Sequence, residues 1–135
     1  MIYQNKVRYF TVLVGALLFI SRSYSQDLIT KNYTLDDGIA NVSIYSVMYD
    51  ADGYIWLATE TGASRFDGKR FINYTTTDGL ADNQIYRMAQ DSKRRIWFMG
   101  SKGILCYFLD GKFYSPSNDS MLKKIPRALP FFYLF

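Results

Sequence analysis

The sequence predicts an all-β fold: two four-stranded antiparallel blades of an incomplete β-propeller, preceded by a signal peptide. Three observations carry that reading. Residues 33–66 (YTLDDGIANVSIYSVMYDADGYIWLATETGASRF) recur as residues 74–107 (YTTTDGLADNQIYRMAQDSKRRIWFMGSKGILCY) at a fixed offset of 41, with 11 of 34 positions identical. Each copy holds one Trp, Trp56 or Trp97, in the same place. A period of about 40 to 45 residues with a Trp in each unit is the spacing of propeller blades. Both copies are also rich in aromatic and β-branched residues and are cut at short intervals by turn residues, which argues strands rather than helices.

The elements follow in chain order. Met1 to Tyr9 carries Lys6 and Arg8 with no acidic residue, and Phe10 to Ile20 is an uncharged apolar run. That run is too short to cross a hydrocarbon core of roughly 30 Å as a helix. Ser23 and Ser25 place small residues three and one positions before a cut between Ser25 and Gln26, so residues 1–25 read as a secretory signal peptide. No Cys follows the apolar run at that site, which excludes lipid attachment there. Residues 26–32 form a lead-in, 33–73 the first blade and 74–115 the second. Residues 116–135 are an off-pattern tail or the start of a truncated third blade, ending on the apolar Phe131–Phe135.

Within the first blade the alternation predicts strands at Ile44–Tyr49, Tyr54–Thr59, Ala63–Phe66 and Arg70–Tyr74. The second gives Ile85–Gln90, Arg95–Gly100, Ile104–Leu109 and Lys112–Ser115. Turns fall at Asp50-Ala51-Asp52-Gly53, Glu60-Thr61-Gly62 and Asp67-Gly68, where Gly takes positive φ without steric cost. Asp110-Gly111 repeats the last of these two positions late, so the third strand or its end has grown in the second copy. Asp37-Gly38-Ile39 and Asp78-Gly79-Leu80 recur before each first strand as the tight turns that carry the chain into a blade. Tyr45, Val47 and Tyr49 alternate with Ile44, Ser46 and Met48, so neither face of that strand is wholly polar, as suits stacked sheets. Trp56 and Trp97 are expected to fill the contact between blades. The alternative for them is an aromatic platform for a sugar.

Composition narrows the chemistry. The chain has no His, hence no imidazole for base catalysis or metal ligation and no phospho-accepting His. Cys106, the single Cys, lies in an apolar stretch and reads as a small buried hydrophobe. The net charge of +4 says little about nucleic acid, because ten basic and ten acidic residues cancel between Lys31 and Phe113. Lys93-Arg94-Arg95, the one basic run there, falls on a turn of the first copy and is expected to be solvated. Calcium at Asp50 and Asp52 is disfavoured, since the second copy places Lys93 at the latter position. No cofactor, metal site or catalytic residue is expected.

The pattern Asp50, Ile55-Trp56-Leu57-Ala58-Thr59, Gly62, Phe66, repeated as Asp91, Ile96-Trp97-Phe98, Gly103, Tyr107, resembles the two-component regulator propeller repeat. Asp78-Gly79-Leu80 belongs to the same likeness, with Ile39 replacing Leu after Asp37-Gly38. The second copy departs from the pattern at Arg94, where Gly is usual, and at Met99-Gly100. The resemblance implies the exported, periplasmic sensor region of a bacterial histidine kinase or hybrid regulator. Its implied partners are further blades, a kinase and a ligand, carbohydrate-derived ones included, with the membrane reached only through a segment beyond this sequence. A glycosidase or lyase on a propeller scaffold is the rival reading. Against it, sialidase-type blades carry an Asp five residues before the Trp, where this chain has Ala51 and Ser92, and no carboxylate pair stands out. A protein-binding propeller scaffold is the third. Two blades cannot close a ring, so the expectation is that they open a longer array.

Overall fold

The structure, a computed structural model, describes residues 30–126. The expected cleavage site at Ser25 and Gln26 and the apolar Phe131–Phe135 lie outside the described residues. Every expected strand forms, within one residue at each end. The first blade holds β1 (Ile44–Tyr49), β2 (Ile55–Thr59), β3 (Gly62–Phe66) and β4 (Phe71–Tyr74); the second holds β5 (Ile85–Gln90), β6 (Ile96–Gly100), β7 (Leu105–Leu109) and β8 (Lys112–Tyr114). Each blade is an antiparallel meander in sequence order.

The blades stack through one face of each. The first strands approach side by side, with the Tyr45 and Tyr86 rings edge to face at 5.1 Å. From the first blade Trp56, Ala58 and Ala63 meet Ile96, Phe98, Phe108 and Phe113 of the second in one buried cluster. The two alanines are register partners on β2 and β3. Beside them Trp56 stands edge-on to Phe98 at 5.5 Å and to Phe108 at 5.3 Å. Such tilted aromatic contacts stabilise by about 0.5–1.5 kcal/mol each beyond their area burial.

Equivalent residues show what a covering blade does. Ile96 is 3% exposed against the first blade, whereas Ile55, its counterpart 41 residues earlier, is 36% exposed. Met88 and Gln90 are half-buried, while their counterparts Val47 and Tyr49 are exposed. The two-sided apolar character of β1 is thus spent on one face, and the other stays open among the described residues.

The turns that lead into the blades are capped 3-10 turns. Thr34 N–H donates to Asp37 Oδ2 at 2.8 Å, and Thr75 N–H donates to Asp78 Oδ2 at the same distance. Gly38 (φ 95°) and Gly79 (φ 104°) then reverse the chain in the left-handed region. The same turn recurs a third time, unread in the sequence: Ser115 N–H donates to Asn118 Oδ1 at 2.7 Å, and Asn118 N–H to Ser115 O at 3.0 Å. Register also corrects the account of the late Asp110-Gly111 turn. Trp56 pairs with Arg65 but Trp97 with Tyr107, so one extra residue enters between β6 and β7. The rest of the delay comes from β7–β8 pairing one residue further, to Leu109 and Lys112.

Candidate functional site

Each first hairpin is built on one carboxylate. Asp50 Oδ1 accepts from the backbone N–H of Asp52 and of Tyr54, both at 2.9 Å, and its Oδ2 accepts from Trp56 Nε1 at 2.7 Å. Asp91 does the same with Lys93 N at 2.9 Å, Arg95 N at 3.0 Å and Trp97 Nε1 at 2.9 Å. The repeated Asp therefore fixes the turn and the orientation of the Trp six residues on. Asp50 and Trp56 are buried, at 4% and 1% exposure. Trp56 has no free ring face and serves as the interblade filler rather than a sugar platform; Trp97 is half-buried on the opposite side of the second blade. Asp91 also accepts from Arg95 Nε at 2.6 Å. These donors, the Trp97 indole first, hold its carboxyl down at about 2.

The run Lys93-Arg94-Arg95 is not uniformly solvated, contrary to expectation. Arg94 takes φ 65° where the first copy has Gly53 at φ 90°. From that left-handed position its guanidinium crosses to the first blade, donating to Ala51 O at 3.2 Å and to the Asp52 carboxylate. Gln90 Oε1 accepts from Ala51 N–H at 2.8 Å, a second tie between the blades. Arg95 lies over the Trp97 ring at 4.9 Å and the Tyr107 ring at 5.2 Å. Backbone register and sequence proximity to Asp91 decide these contacts, and neither is visible as a basic run.

Between the hairpin turns a cleft of about 410 Å³ opens onto the interface, with walls from both blades. Arg65, on β3, is its inner cation. The guanidinium lies over Tyr54 at 4.5 Å and near the Trp56, Phe108 and Tyr74 rings at 5.6, 5.7 and 5.8 Å. Sequence reasoning did not single it out. Its signal would have been its place opposite Trp56, legible only once β2 and β3 are in register.

At the other end of the second blade a cleft of about 500 Å³ lies between Leu80, Leu105 and Leu122. Asp82, which follows the lining residue Ala81 and does not itself line that cleft, accepts from Ser101 Oγ at 2.8 Å and Lys102 N–H at 2.9 Å. Burial works against its charge, but these bonds and the Lys102 ammonium leave its carboxyl below the ordinary value. Cys106 is 1% exposed, and burial pushes its thiol up to about 11. Among the described residues no three His, Cys, Asp or Glu side chains gather to hold a metal ion.

Two stacked meanders, each with its Trp tied to a turn aspartate, define a segment of a β-propeller. Residues 38–61 and 79–102 match the model of the two component regulator propeller family, one match falling in each blade. Over 63 residues the chain is 30% identical to Histidine kinase P4 of Formosa agariphila, a match covering 46% of this chain and 5% of that protein. It also superposes on the extracellular domain of a hybrid two component system from B. thetaiotaomicron, with a TM-score of 0.57 and 24% identity. That likeness covers 63% of this chain and 13% of the other, and it shows the fold. The chain spans a small part of the length of both relatives.

Proposed function

We propose that the chain is part of the exported, ligand-sensing propeller of a bacterial two-component sensor, either a histidine kinase or a hybrid regulator. One observation carries this reading: two in-register repeats of the two component regulator propeller family occur in a chain similar over 63 residues to a histidine kinase. The sequence has no His, so the phospho-accepting histidine of such a system is supplied from outside these residues. The chain's own part is recognition. The buried Trp56 and the hydrogen-bonded carboxylates of Asp50 and Asp91 act in the scaffold, which disfavours the glycosidase reading.

Two experiments test it. Protein recovered from the periplasm should begin at Gln26; an intact Met1 in the cytoplasmic fraction contradicts export. Disruption of the gene within codons 33–115 should abolish induction of a discrete gene set on at least one growth substrate. A transcriptome unchanged across a broad substrate panel refutes the sensor role.

A further inference from the structure

We infer that the interblade cleft around Arg65 is a binding site for a small organic carboxylate. Arg65 has no carboxylate within ion-pair distance among the described residues, and its buried Nε has no hydrogen-bond partner. Buried polar groups are normally satisfied, and an unspent guanidinium presents a fork of donors that matches a carboxylate in two places. The cleft that reaches it has the volume of small-ligand sites.

The other charges of the cleft are differently placed. Asp50 is occupied by its turn and by Trp56, and Asp52 is bridged by Arg94. Lys93, exposed on the wall, has no ion pair among the described residues, so Arg65 and Lys93 are the two cations of the lining without a direct carboxylate partner, while Asp50 is held by neutral donors and Asp110 stands at the rim. Tyr54, Ile96 and Phe108 line the same space and give an apolar body somewhere to lie. An anionic head on Arg65, steered past Lys93, with a ring or short aliphatic body against these side chains, fits that arrangement. The second blade has no equivalent unpaired guanidinium, because its corresponding cation, Arg95, is paired with Asp91.

The assignment rests on the sensor reading for its purpose and not for its chemistry, so binding and signalling are measured separately. The test is calorimetric titration of the full chain with sodium benzoate and sodium glucuronate, with benzamide and glucose as neutral counterparts. At least one carboxylate should bind, weakening as salt is added, while its neutral counterpart does not. Arg65→Met, which keeps an unbranched apolar side chain and removes the guanidinium, should lower that affinity by about tenfold or more, the scale of one charge-assisted contact. Lys93→Ala, an exposed change that leaves the interface intact, should lower it about two- to fivefold, the share of an exposed ion pair. Binding of neither carboxylate up to millimolar concentration, equal binding of a neutral counterpart, or affinity unchanged in Lys93→Ala or in a folded Arg65→Met overturns the site. A failed titration beside an intact transcriptional response would remove the site and leave the sensor reading standing.

Discussion

Replacing Asp50 with Ala tests whether the repeated aspartate anchors the Trp rather than merely starting a turn. The change deletes an acceptor of three hydrogen bonds in a residue only 4% exposed. Trp56 Nε1 is then buried without a partner, which costs about 1–3 kcal/mol. The amides of Asp52 and Tyr54 lose an acceptor too, but they lie on a turn where water can replace it, adding about 1 kcal/mol in total. The expected loss is therefore about 2–4 kcal/mol, a large share of the stability of a small domain. Urea unfolding at micromolar concentration, followed by circular dichroism, reads it. Trp56→Phe and the double variant complete a cycle that isolates the indole–carboxylate bond from the packing of the ring. A coupling energy of about 1–3 kcal/mol is expected. Additive effects within about 0.5 kcal/mol would show that the bond contributes nothing of its own and refute the reasoning. Asp91→Ala should cost less, because Asp91 and Trp97 are both partly solvated.

The remaining predictions concern acid, a thiol and a turn. Asp91 is held at about 2 when folded, below the ordinary value of 3.8. Its contribution is thus complete above about pH 4 and lost as the pH falls towards 2; thermal melts across that window should show a flatter acid limb in Asp91→Asn than in the parent. Cys106, with its thiol near 11, should react with iodoacetamide at pH 8 about a hundredfold more slowly in the folded protein than in urea. Comparable rates would mean that the interface opens freely. A Cβ at Gly62 (φ +148°) would stand 2.2 Å from the Tyr74 carbonyl oxygen, so Gly62→Ala should cost about 3 kcal/mol or more. Gly68→Ala, at φ +94° with nothing within 4 Å, is the control for backbone strain alone and should cost less in the same melts.

The strands were legible because their causes are local. Alternation and turn residues within six or eight positions place β1 to β8, and the 41-residue repeat checks each assignment against its copy. The aspartate-to-tryptophan bond was also present in the sequence, as the same spacing of six in both copies. It could not be read as a contact, because residues six apart meet only if the intervening turn folds the hairpin back in one particular register. The third capped turn at Ser115–Asn118 was missed for a different reason. It keeps the hydrogen bonds of Thr75–Asp78 while replacing Thr by Ser and Asp by Asn, so identity is lost where chemistry is kept.

What distinguishes the two blades was least legible, and it is what the candidate site depends on. In the first blade Tyr54 precedes Trp56 and Arg65 lies opposite it; in the second Arg95 precedes Trp97 and Tyr107 lies opposite. The same two chemistries flank each Trp in exchanged places, an equivalence hidden by the residue inserted before β7. The exchange decides how each cation is used. Arg95 sits four residues after Asp91 on the same hairpin, so it reaches that carboxylate and its charge is spent inside the blade. Arg65 enters from β3, makes no such pair, and its guanidinium is left among rings at the floor of the cleft. The residues the copies share build the scaffold, and a position they do not share supplies its free charge.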